Sequence, residues 1–219
     1  MKKNRFSKFF LIPAFLSAAF IACERDENSL TNVVPNEGST SAAVNENSNS
    51  PAAQIAASEG LVIPAAIELP ANLPNGNTRV ATFFAVGVQK YKAQLIAGSN
   101  PAAYQWVFVA PQADLYDATN AKVGTHSAGP TWQLSVIDSI YGQQYSPPKT
   151  APSQDPASID WLLLQPKTGT TPKGIFADVD YIQRIATKGG KAPLTPPATA
   201  TQTVEVKYKA VYRFTKINP

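Results

Sequence analysis

One cysteine, one histidine and one methionine are all that this 219-residue chain holds of those three residue types. A single thiol excludes an internal disulfide, a thiolate metal site and a Cys-based redox pair, so the fold has to stand on its core. A lone imidazole cannot build a metal centre, and any metal would need carboxylates from distant loops. No G-x-S-x-G elbow, P-loop or G-x-G-x-x-G occurs, and no apolar run is long enough to span a bilayer. Net charge is also missing once the first 22 residues are set aside: 19 Lys+Arg against 15 Asp+Glu becomes 15 against 15, because Lys2, Lys3, Arg5 and Lys8 go with no acid. With neither a basic surplus nor a Lys/Arg-rich run interleaved with aromatics, nucleic acid is excluded as a partner. No cofactor is implied.

What is present begins with the N-terminus. A basic n-region precedes the apolar run Phe9 to Ala22, which has the length of a signal h-region. Phe20-Ile21-Ala22-Cys23 resembles a lipobox, with small Ala22 before the cysteine and Phe20 where leucine is commoner. Residues 1–22 therefore read as a lipoprotein signal peptide and Cys23 as the lipidated residue. This predicts an extracytoplasmic protein anchored to the outer membrane, with the membrane as partner through that lipid. Glu24-Arg25-Asp26-Glu27 resembles the signal that carries some bacterial lipoproteins to the outer cell surface, and an ordinary solvated linker has the same composition. Residues 23–60 are poor in aromatic and large aliphatic side chains and read as a disordered tether, dispensable for folding.

From Leu61 to Pro219 prolines recur, forbidding long helices and marking turns. Period-two alternation lies between them: Val80 to Val86, Tyr104 to Phe108, Trp132 to Val136, and Val179 to Ile185, while Trp161 to Leu164 reads as a strand buried on both faces. The last run sets Val204, Val206, Tyr208, Ala210, Tyr212 and Phe214 against Glu205, Lys207, Lys209 and Arg213, a half-buried antiparallel strand. The prediction is one all-β domain over residues 61–219, an antiparallel sandwich or barrel with long proline-rich loops and no helix.

Five ordered segments carry a resemblance: Gly87-Val88-Gln89-Lys90-Tyr91, Val109 to Leu115, Val123 to Trp132, Trp161 to Leu164, and Tyr181 to Arg184 with Thr187 to Pro193. Together they resemble the bacterial and fungal family called domain of unknown function 3455, over roughly residues 61–216. The resemblance implies a family and no activity. It also implies cysteines near Ala93 and Pro196, which this chain lacks, so any disulfide of the relatives is missing here.

The candidate site rests on a few side chains. His126 is the sole candidate for general acid/base work near neutral pH; the simpler reading is that it caps a turn or bonds a backbone carbonyl. Ser127 beside it is no partner, because neighbours in an extended chain point to opposite faces. Trp132, after a Gly-Pro turn, is predicted at a pocket rim, while Trp106 and Trp161 are predicted in the core. Arg184, beside Gln183, offers a fork of donors to an anion, or an ion pair to Asp178 or Asp180. A binding module for a small molecule or glycan, with His126, Trp132, Gln183 and Arg184 around its pocket, is favoured. The alternatives are a hydrolase with His126 as base beside Asp114 or Asp160, and a structural envelope protein. An open cleft with a carboxylate near His126 favours the hydrolase; burial of His126 against a carbonyl counts against both site readings.

Overall fold

Alternation of apolar and polar residues runs through long segments here, and each forms a strand. The computed structural model describes residues 47–219; the predicted signal peptide, Cys23 and most of the predicted tether lie outside the described residues. Eight strands follow in chain order: β1 (Asn77–Leu95), β2 (Tyr104–Tyr116), β3 (Lys122–Ser127), β4 (Thr131–Gln133), β5 (Ser139–Ala151), β6 (Trp161–Pro166), β7 (Tyr181–Gly189) and β8 (Thr203–Ile217). Every strand pairs antiparallel with the next, and β8 pairs back onto β1, from Asn77 opposite Ile217 to Lys92 opposite Thr203. The result is a closed up-and-down barrel, which resolves the predicted choice between sandwich and barrel. Closure leaves no unpaired edge.

Two strands went unseen in the alternation. β3 is short and contains Gly124, and β5 carries Pro147 and Pro148. Those prolines sit where the β5–β6 register breaks between Gln144 and Lys149, a bulge in which the ladder needs no N–H from them. In the Trp132 run the strand stops at Gln133, because Leu134 turns back with its N–H on the Asp138 carbonyl.

Two apolar layers form, one on each side of the barrel wall. Inside, Phe83, Ala85, Leu115, Trp132, Ile140, Leu164, Ile182, Tyr212 and Phe214 are buried together. One end of the lumen is plugged by Phe176, from the 3-10 turn Gly174–Phe176, whose ring lies 4.8 Å from Phe214 and 6.3 Å from Phe83. Outside, Phe84, Trp161, Leu163, Tyr181, Ile185 and Val211 make a second layer.

That outer layer is covered by chain expected to be unstructured. Residues Pro51–Glu59 form helix α1, with Ser50 as N-cap accepting from the Ala53 N–H at 3.2 Å and Pro51 in the first turn. Ile55 and Ser58 are its buried residues, and Ile67 of the 3-10 turn Ala65–Ile67 completes the cover. The disordered tether predicted through residue 60 is corrected here: its last turn-and-helix is ordered on the barrel. Four alanines in nine residues favour helix, and one well-placed isoleucine supplies the contact that composition averaged away. The cover also changes β8. Its first half is half-buried as predicted, but Arg213 and Thr215 on the outward face are buried beneath α1 and its neighbours. Arg213 Nη2 donates to the Ser58 carbonyl at 2.6 Å and pairs with Glu59 at 3.2 Å, and Arg79 holds the same carboxylate at 3.0 Å.

Candidate functional site

Eight strands leave a lumen just wide enough for side chains or for one small ligand. Here the plugged end is filled and the other end is open. A cavity of about 640 Å³ enters at that end, within the range of small-molecule sites, roughly 300–1,000 Å³. Its depth is set by an aromatic floor. His126 on β3 and Trp132 on β4 are register partners, and their rings stack at 4.5 Å and 13°. Tyr212 of β8 meets the Trp132 ring edge-on at 5.1 Å, and Phe214 lies on its far side at 5.6 Å. Gly142 of β5 permits this packing, since a Cβ there would lie 2.9 Å from the indole.

The turn between β3 and β4 holds the imidazole. Gly129 has φ +132, and a Cβ on it would meet Thr131 Oγ1 at 2.5 Å, so a side chain is barred twice over. Thr131 Oγ1 donates to the Ala128 carbonyl at 2.8 Å, and His126 Nδ1 donates to the Thr131 carbonyl at 2.9 Å. Nδ1 therefore carries the proton of the neutral ring. His126 is only 3% exposed, and burial pushes its pKa down to about 4, against the pull of the Thr131 carbonyl and with help from the Arg184 charge.

Above the floor, Gln89 and Tyr91 of β1, Leu162 and Leu164 of β6, and Arg184 of β7 line the walls, with Phe108 and Val109 of β2 half-exposed at the mouth. Arg184 Nε and Nη2 donate to the Asp160 carbonyl at 3.2 and 2.8 Å, which fixes one edge of the guanidinium. No carboxylate pairs with it among the described residues. Asp178 pairs instead with Lys216 at 4.0 Å and Asp180 accepts the Ile217 N–H at 2.7 Å, so the predicted ion pair to Arg184 does not form. The Tyr212 hydroxyl lies close enough to both Arg184 and the Tyr208 hydroxyl to interact with each, though neither contact has full hydrogen-bond geometry. Burial raises the pKa of both tyrosines, so both remain phenols. Gln89 Nε2, Trp132 Nε1 and the Tyr212 hydroxyl are buried atoms with no partner.

Of the four predicted pocket residues, His126, Trp132 and Arg184 border one cavity, but His126 is buried against the Thr131 carbonyl, the outcome that counts against a role for its imidazole in binding or catalysis, so the site rests on the walls and Arg184. Trp132 is the floor, fully buried, and not a rim residue, because a 13° stack on His126 draws it into the lumen. Gln183 is elsewhere. It faces outward, where its Nε2 donates to the Ile67 carbonyl at 2.8 Å and ties the covering segment to β7. Gln183→Leu is accordingly expected to leave the cavity intact and to cost about 1 to 3 kcal/mol, as the Ile67 carbonyl loses its donor; chemical denaturation beside a binding titration checks both halves. Trp161 is buried as predicted, while Trp106 is half-buried with its Nε1 on the Thr195 carbonyl at 2.9 Å. Gln89, Tyr91, Leu162 and Tyr212 were not singled out as site residues, although inward parity along β1 and β8 places a polar Gln and a Tyr among lumen positions.

Neither proposed carboxylate serves His126. Asp114 follows Ala113, the register partner of His126, so its side chain lies on the outer face, where Lys122 holds it at 2.9 Å. Asp160 borders the cavity without a hydrogen bond to the imidazole. Among the described residues no three His, Cys, Asp or Glu gather as metal ligands.

The model of the family described as Protein of unknown function (DUF3455) matches residues 74–216. The chain belongs to that family. The match runs from just before β1 almost to the end of β8, so it takes in all eight strands but for Ile217, while α1 and the 3-10 turn Ala65–Ile67 lie before it. No curated protein and no solved structure matches the chain.

Proposed function

We propose that this DUF3455 chain is a binding module that takes a small molecule into the open end of its barrel. The observation that carries the reading is the cavity of about 640 Å³ ending on a floor of buried polar atoms that lack partners. A buried donor without an acceptor costs about 1 to 3 kcal/mol, and a ligand that supplies one recovers it. Leu162, Leu164, Phe108 and Val109 give the walls an apolar character that favours a small apolar molecule over a glycan. The hydrolase alternative finds no support in the geometry, since no carboxylate bonds to the His126 ring among the described residues and burial leaves it a weak base with a pKa of about 4.

The test uses the neutral dye N-phenyl-1-naphthylamine, whose emission rises in apolar sites. Saturable one-to-one binding is expected, and Leu162→Trp, which fills the lumen, is expected to abolish it while the far-ultraviolet spectrum is unchanged. Absence of saturable binding, or equal binding by Leu162→Trp, overturns the reading.

The same proposal places the barrel outside the cytoplasm, tethered by lipid on Cys23 to the outer membrane. What supports it is the basic n-region, the h-region and the Ala22-Cys23 junction. Cys23→Ser is expected to abolish metabolic labelling with a palmitate analogue and to leave an uncleaved precursor on a gel. Normal processing of Cys23→Ser removes the lipoprotein assignment.

A further inference from the structure

The lumen is electrically lopsided. Among the side chains that line the cavity, Arg184 and Lys191 are cationic, Asp160 is anionic, and His126 is buried and neutral. Lys191 Nζ at the mouth already donates to the Pro156 carbonyl at 2.6 Å. Arg184 differs in what it has left. The Asp160 carbonyl takes Nε and Nη2, and among the described residues no carboxylate pairs with the guanidinium, whose remaining edge faces the Tyr212 hydroxyl. Beside it the buried Tyr212 hydroxyl also lacks a partner, and it is 1% exposed with its residue lining the cavity. A guanidinium edge next to a phenol donor, above an apolar wall, is the donor set for a carboxylate or a similar oxyanion.

We infer that the ligand is a compact organic monoanion, its anionic head on Arg184 and Tyr212 and its apolar body between Leu162, Leu164 and the aromatic floor. This rests on the reading of the lumen as a binding site. A neutral glycan leaves the Arg184 charge unpaired, and a dianion finds a single free guanidinium edge. Phe108 and Val109, half-exposed at the rim, give the apolar body its way in.

The experiment titrates the full chain calorimetrically with 1-naphthoate and with 1-naphthamide, which share shape and differ in charge. Naphthoate is expected to bind at least roughly tenfold more tightly, the range of a charged hydrogen bond. Arg184→Met is expected to bring naphthoate down to the affinity of the amide, and Arg184→Lys to restore part of the difference. Lys122→Met, on the outer face and outside the cavity, is expected to leave the ratio unchanged. Thermal melting of each variant establishes that it is folded, and Tyr212→Phe, a second probe of the same head site, is expected to lower the naphthoate preference without touching the charge. Equal binding of acid and amide by the unaltered chain overturns the monoanion inference while the binding-module reading stands. Binding of neither ligand, together with failure of the neutral dye, overturns both.

Discussion

A chain beginning at Leu61 is expected to melt roughly 10 °C below one beginning at Asn47. Two buried sets of contacts dominate the loss. Ile55, 8% exposed, leaves the outer apolar layer with Phe84, Trp161 and Val211 beneath it, and full burial of such a side chain contributes about 1.5 to 3 kcal/mol. Arg213 loses the Ser58 carbonyl and Glu59 at once. Breaking a buried charge from its partner costs about 3 to 5 kcal/mol, but removing α1 also returns water to the guanidinium and offsets part of that. A net loss on the order of 3 to 5 kcal/mol follows, and each kcal/mol shifts the melting temperature of a domain this size by about 2 to 4 °C. Ile55→Asp in the longer chain should reproduce most of the drop, because a carboxylate cannot enter that layer unpaired. Equal melting temperatures for the two chains, within a degree, would show that α1 rests on the barrel without stabilising it.

The same helix marks where reading the sequence failed. Tether and helix share a composition of alanine, serine and asparagine; what separates them is Ser50 placed to cap, Pro51 at the first helical position and Ile55 facing a partner far along the chain. Only the last of these is tertiary, and it decides the outcome. Strands β1, β7 and β8 were legible because one face of each enters the lumen, and alternation survives even where α1 buries the other face. β5 was not, since two prolines disguise a strand whose ladder tolerates them at a bulge.

The site divides along the same line. Alternation separates His126 from Ser127, and it equally separates Gln183 from Arg184: one neighbour had to leave the pocket. Which one left depends on the inward register of β7 opposite Leu162, a fact of pairing. Trp132 reads as a rim residue from its Gly-Pro turn. It becomes the floor because its register partner His126 offers a flat face inside the lumen.

Acid is expected to weaken this fold well before its carboxylates titrate, and His126 is the reason. Its pKa is about 4 in the folded protein, lowered chiefly by burial, against about 6.5 when unfolded. Above pH 6.5 both states are neutral at this ring and its full contribution is present. As pH falls from 6.5 towards 4 the unfolded chain takes up a proton that the folded one refuses, so stability declines by about 1.4 kcal/mol per pH unit. The loss amounts to roughly 2 kcal/mol at pH 5 and on the order of 3 kcal/mol by pH 4. Asp117, Asp138 and Asp155 also have lowered pKa values, held down first by the side-chain hydroxyls of Thr119, Ser135 and Ser158 respectively. Their ordinary carboxylate range lies below this window, so their share of acid sensitivity begins where that of His126 ends. With one histidine in the chain the interval from pH 6.5 to 5 contains no other imidazole. Urea denaturation at pH 7.5 and pH 5.0 should therefore show the full drop in the unaltered chain and almost none in His126→Gln, which cannot titrate. The variant should start lower at pH 7.5, by about 1 to 3 kcal/mol, for the lost stack on Trp132 and the weakened bond to the Thr131 carbonyl. A parallel decline in both proteins would place the acid-sensitive group elsewhere and leave the buried neutral imidazole without its energetic signature.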